Sequence, residues 1–146
     1  MATFEHVTFI RATPERVWHA LTSEQQTADF WGHSNVSDWA VGSRWEHRRI
    51  DGSGIADVEG EVTESRRPNR LAMTFGEGTV AAFDIEGFHD LVRLVITHTD
   101  VPQDQYDNAA HGWASVAANL KTLLETGRTL PQPPWETPLR RSGARR

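Results

Sequence analysis

Residues 109–124 read Ala109-Ala110-His111-Gly112-Trp113-Ala114-Ser115-Val116-Ala117-Ala118-Asn119-Leu120-Lys121-Thr122-Leu123-Leu124. Ala109, Trp113, Val116, Ala117, Leu120, Leu123 and Leu124 recur at the spacing of one helical face. The pattern predicts a long amphipathic helix from about Gln105 to Thr126, with Gly127 as its stop. A helix of this kind must bury its apolar stripe, so the rest of the chain has to supply a surface broad enough to receive it.

Working outward, that surface is a sheet. Arg44–Ile50, Ile55–Glu64, Leu71–Phe75, Thr79–Glu86 and Leu91–Thr99 are strand-like runs separated by turn residues such as Asp51-Gly52-Ser53-Gly54 and Gly76-Glu77-Gly78. Phe4–Arg11 is a further strand at the beginning. No helices are interleaved among the later strands, which argues an antiparallel meander rather than parallel βαβ units. Between the first two strands lie two short helices. Thr13 caps the first, with Pro14 and Glu15 in its opening turn; Ser23 and Glu24 open the second, which ends near Phe30-Trp31-Gly32. The expected fold is therefore α+β, a curved antiparallel sheet wrapped around the long C-terminal helix. Residues 1–126 form one domain. Residues 127–146, with Pro131, Pro133, Pro134 and Pro138, are expected to be a Pro/Arg-rich tail, extended or mobile.

Composition narrows the function classes. There is no cysteine, which excludes disulfides, thiolate metal sites and cysteine nucleophiles and fits a reducing, cytoplasmic setting. No run approaches the roughly 20 apolar residues needed to span a bilayer, and no signal-peptide core precedes Arg11. From Gly127 onward five arginines face one glutamate, +4, so the overall −5 leaves residues 1–126 at −9. So acidic a body argues against nucleic acid as the main partner, because phosphate binding needs concentrated Lys and Arg. The basic tail alone could touch RNA or an acidic surface. Nucleophile-elbow, phosphate-loop and dinucleotide fingerprints are all missing, and no cofactor is implied.

The order of elements, with Ala12-Thr13-Pro14-Glu15-Arg16-Val17-Trp18-His19-Ala20-Leu21, resembles the START-like (SRPBCC, helix-grip) superfamily. Phe30-Trp31-Gly32, Val41-Gly42-Ser43-Arg44-Trp45, Gly60-Glu61-Val62-Thr63-Glu64, Leu94-Val95-Ile96-Thr97-His98-Thr99 and Gly112-Trp113 through Glu125 extend the likeness over about residues 4–126. Within that superfamily the chain is similar to the branch named after the C-terminal domain of the activator of the heat-shock-protein-90 ATPase. Arg66-Arg67-Pro68-Asn69 departs from the paired prolines common at that turn. The resemblance implies a cavity between the concave sheet face and the helix.

By strand parity Trp45 and His47 point inward, with Val58 beside them, as do Leu71, Met73 and Phe75. Ala81, Phe83 and Ile85 follow, and then Leu94, Ile96 and His98. Trp113, Val116, Ala117 and Leu120 face back from the helix. These residues either line a small-molecule pocket or fill a closed core. Phe30, Trp31 and Trp39 flank the expected mouth, as ligand contacts or as an apolar plug. The expected ligand-binding set is Phe30, Trp31, Trp39, Trp45, His47, Val58, Met73, Phe75, Phe83, Ile96, His98, Trp113 and Ala117. His47, His98 and His111 are candidates to converge in the cavity, but their spacing does not support a metal site. His98 is read as a polar anchor for a ligand. Arg49 would reach the rim, where it meets an acidic ligand or solvent; Asp57, Glu59 and Glu61 belong to an exposed polar face.

The leading expectation is a carrier, sensor or sequestering protein for a small apolar or amphipathic molecule, as monomer or homodimer. The alternatives are a cyclase, aromatase or hydrolase using His98 or His47, with no catalytic residue assigned otherwise, and a co-chaperone-like interaction domain.

Overall fold

The computed structural model describes residues 1–139 of the 146; the arginines from Arg140 onward, and the reading of the basic tail that rests on them, lie outside the described residues. Seven strands form one antiparallel sheet: β1 (Ala2–Ile10), β2 (His33–Val36), β3 (Arg44–Arg49), β4 (Ala56–Arg66), β5 (Arg70–Thr74), β6 (Val80–Phe88) and β7 (Leu91–Val101). β2 to β7 follow one another as a meander, and β1 pairs with β7 at the far edge. Two short helices, α1 (Pro14–Thr22) and α2 (Glu24–Trp31), separate β1 from β2, and α3 (Tyr106–Thr126) crosses the concave side. This is the helix-grip arrangement expected from the order of elements.

The local signals behave as their chemistry dictates. Thr13 Oγ1 accepts the Arg16 N–H at 3.2 Å and Ser23 Oγ accepts that of Gln26 at 3.1 Å, so each short helix begins on a side-chain cap. α3 is fastened to the sheet edge by polar contacts as well as by its apolar stripe. Lys121 Nζ donates to the Phe9 carbonyl at 2.6 Å, and the Arg11 N–H donates to Glu125 Oε2 at 2.8 Å. The first bond occupies a β1 carbonyl and the second the N–H just past the strand's end, groups at a sheet edge that would otherwise be open to another chain.

The strand β2 was not expected. Its four residues, His33-Ser34-Asn35-Val36, carry no alternation of apolar side chains; pairing of Asn35 with His47 on β3 places it, and Asn35 is buried. A second departure is a bulge. His47 pairs with Val58 while Arg48 pairs with Ala56, so Asp57 is an extra residue on β4. Bulges re-aim the side chains they carry.

The core is continuous along most of α3. Val116, Ala117, Leu120 and Leu124 pack with Leu71, Met73, Phe83, Ile85, Leu94 and Ile96 from the sheet and with Val17 and Leu21 from α1. Gly60 serves a close approach here. Trp45 Nε1 donates to the Thr74 carbonyl at 2.8 Å, and a Cβ on Gly60 would lie 2.7 Å from that nitrogen. Among the described residues no helix is long and apolar enough to cross a membrane, which leaves membrane β-barrels unaddressed.

Candidate ligand-binding site

At the N-terminal half of α3 the core opens into a cavity of about 290 Å³. Trp31, Phe75, Trp113 and Trp135 form its aromatic walls, His33, His47, His98 and Asn108 supply polar atoms, and Ala109, Gly112 and Val116 are its helix face. The space exists because α3 carries small residues there. A glycine inside a helix costs about 1 kcal/mol relative to alanine, and packing does not require one at 112. A Cβ at that position would meet nothing within 4 Å.

His98, on β7, is over nine-tenths buried. Its Nδ1 accepts the indole N–H of Trp113 at 3.0 Å, so the ring proton sits on Nε2. That N–H has no hydrogen-bond partner among the described residues, an omission that costs about 1–3 kcal/mol for a buried donor. Burial pushes the His98 pKa below its ordinary value. Protonating Nδ1 would also set two N–H groups against each other, so the neutral ring is the form the site is built for.

His47 is fixed differently. Its Nδ1 lies 2.5 Å from the side-chain oxygen of Asn35. An amide oxygen only accepts, so Nδ1 carries the proton and Nε2 is left as an acceptor. Burial, helped by the charge of His33, takes the His47 pKa down to about 3. The His33 ring stacks on that of His47, centroids 4.0 Å apart, and its Nε2 is 2.8 Å from Asp57 Oδ2. Arg49 Nε donates to the other oxygen of Asp57 at 2.9 Å. Asp57 is exposed, as expected of the polar face, and at the bulge it forms a clamp between His33 and Arg49. Arg49, expected at the rim, is not among the residues lining the cavity and is paired with Asp57.

Trp135 reaches the cavity from a segment expected to be an extended tail. Residues 134–136 form a 3₁₀ turn, and the Leu130 N–H donates to Asn119 Oδ1 at 2.8 Å. The Asn119 amide donates in turn to the Phe30 carbonyl at 3.1 Å, tying tail, α3 and α2 together. The Trp135 ring lies over Gly32, where an added Cβ would come within 2.7 Å of it. Gly32 also has φ +74°, a conformation that favours glycine, so it serves both the end of α2 and the seat of the indole.

Of the residues read as ligand contacts, Trp31, His47, Phe75, His98 and Trp113 stand on the cavity wall. Phe30, Trp45, Met73, Phe83, Ile96 and Ala117 are buried in the adjoining core, and Val58 packs against it half-buried. Trp39 is held at the end of α1, its indole N–H donating to the Thr22 carbonyl at 3.1 Å. His111 does not join His47 and His98; its Nε2 lies 3.4 Å from Thr137 Oγ1. No group of three His, Cys, Asp or Glu among the described residues is placed to hold a metal ion. Sequence reasoning missed His33 and Trp135. The signal for Trp135 was a lone tryptophan in a proline-rich stretch otherwise poor in apolar residues; His33 gave none, since it depends on the unexpected strand.

Three solved structures illustrate what the chain is similar to. The Aha1 dimer from Colwellia psychrerythraea has a TM-score of 0.74 at 24% identity, covering 87% of this chain and 98% of that one. A protein from Mesorhizobium loti has a TM-score of 0.74 at 22% identity, covering 85% and 97%. An HSP90 activator from Plasmodium falciparum has a TM-score of 0.69 at 20% identity, covering 86% and 97%. Such identities establish the fold alone. No curated protein matches this sequence. The model of the family described as activator of Hsp90 ATPase homolog 1-like protein matches residues 11–125, from the end of β1 to the last turn of α3, and the chain belongs to that family.

Proposed function

We propose that the protein binds a small apolar or amphipathic molecule in the cavity between the sheet and α3, as a carrier, sensor or sequestering protein. The observation that carries this reading is the treatment of α3. Gly112 and Ala109 leave room beside four aromatic rings where the rest of the helix packs solidly. A mostly apolar recess with a few convergent polar atoms suits a small ligand. Residues 1–126 are proposed as the folding unit and 127–146 as an appended segment, in a reducing compartment such as the cytoplasm.

An enzymatic reading is weaker on chemical grounds. A general base works best with a pKa near the operating pH, and His47, held to about 3, is far below it. A protein-interaction reading has one observation in its favour. Phe9, Phe88 and Leu91 are exposed together at the β6–β7 turn, away from the cavity, and relatives include an Aha1 dimer and an HSP90 activator. Self-association through that patch would appear in light scattering as a dimer lost on Phe88→Glu.

The binding reading is tested by denaturing the purified protein and examining what is released by mass spectrometry, with Trp113→Ala alongside. A recurrent apolar compound at stoichiometric amount, lost in the variant, supports it. Nothing released, together with no tryptophan quenching by a panel of lipids and aromatics, rejects it and favours the interaction patch.

A further inference from the structure

We infer that the cavity selects uncharged ligands bearing a carbonyl-type hydrogen-bond acceptor, with the acceptor on His98 Nε2–H and the apolar body against the surrounding aromatic rings. The inference rests on the binding reading above and specifies its ligand class.

Three observations converge on it. First, the Trp113 N–H occupies His98 Nδ1, which leaves the Nε2–H of this cavity-lining residue buried with no partner among the described residues. Phe75 meets the His98 ring edge-on with centroids 5.5 Å apart, so the ring is held on a second side and is not free to seek another acceptor. Buried donors are almost always paired in folded proteins, and an exception at a cavity points to a group supplied from outside. Second, no lysine or arginine among the described residues lines the cavity, and Arg49, at the end of β3, is bound to Asp57. A carboxylate or phosphate would be stripped of water there without a counter-charge, which is strongly unfavourable. Third, a protonated ligand amine finds no carboxylate among the described lining residues either, and Asp57, which pairs with the lining residue His33, is also engaged by Arg49. What remains is a neutral acceptor on an apolar body, such as a ketone, aldehyde, quinone or lactone.

The test uses a matched pair of probes, 1-tetralone and tetralin, titrated calorimetrically into the full chain. The ketone is the more water-soluble of the two, so apolar transfer alone would favour the hydrocarbon. Tighter binding of 1-tetralone by about tenfold, the usual reward for pairing an orphaned buried donor, is expected. His98→Phe fills the space without the donor and should abolish that preference; circular dichroism checks that it is folded. Long-range proton–nitrogen correlation on the native protein gives a second measure, since the His98 proton must reside on Nε2. Equal binding of both probes, or a proton on Nδ1, overturns the inference and leaves the binding reading standing. Binding of neither probe, with no ligand released from the purified protein, removes both.

Discussion

The two halves of α3 face the same sheet with opposite strategies. From Val116 to Leu124 the helix buries branched side chains against β5, β6, β7 and α1, and the interior is closed. From Asn108 to Trp113 it offers alanine, glycine and a single large indole, and the interior is open, with polar nitrogens among the rings. The closed half gains stability in proportion to the apolar area removed from water. The open half gives some of that up: a helical glycine and an imidazole N–H without a partner among the described residues oppose folding, and in acid so does a histidine held far below its ordinary pKa. Stability withheld at one place in a domain is the usual mark of a functional site.

The largest test of this contrast falls on the closed half. Leu120→Ala should cost about 3 kcal/mol in chemical denaturation, because Leu120 is fully buried and its neighbours cannot collapse around the void. A loss under about 1 kcal/mol would mean that the two halves are equally loosely packed.

Acid should then find the open half. The folded pKa of His47 is about 3, below the unfolded value of about 6.5. The unfolded chain therefore binds more protons across that window, and stability rises with pH through it. Lowering the pH from 7 to 5 should remove about 2 kcal/mol through His47 alone, with His6 and His98, both also lowered, adding to it. His47→Phe should flatten the dependence measured by denaturation at each pH; an unchanged slope would shift the acid sensitivity elsewhere.

Gly32→Ala attacks the seat of Trp135. A non-glycine residue at a left-handed position costs about 1–2 kcal/mol, and the new methyl also displaces the indole. A lower Tm with red-shifted tryptophan emission is expected, and an unshifted emission would show that Trp135 does not depend on Gly32.

Gly112→Ala is the smallest effect and the only one with a favourable sign. It should stabilise by about 0.5–1 kcal/mol through helix propensity while weakening any ligand that uses the space. Stabilisation without loss of affinity would mean that Gly112 is not kept for the ligand.

The strong local patterns settled a great deal in advance. Heptad-like spacing from Ala109 to Leu124, Gly-rich turns between alternating runs, and Thr13 and Ser23 as caps are readable because each depends on neighbours within a turn or a hairpin. They determined the order of the helices and of every strand but β2, the inward faces of β3, β5, β6 and β7, and hence Trp45, His47, Phe75, His98 and Trp113 as interior residues. Three features were decided only by tertiary structure. β2 exists because Asn35 meets His47, not because its four residues favour a strand. Asp57 clamps His33 because the β3–β4 register slips by one residue there, which reading by alternation does not show. Trp135 becomes a cavity wall because Gly32, more than a hundred residues earlier, leaves a place for an indole. Whether the interior would be solid or hollow belongs to the same class. It depends on how volumes from five or six distant segments add up around α3, and no local pattern carries that sum.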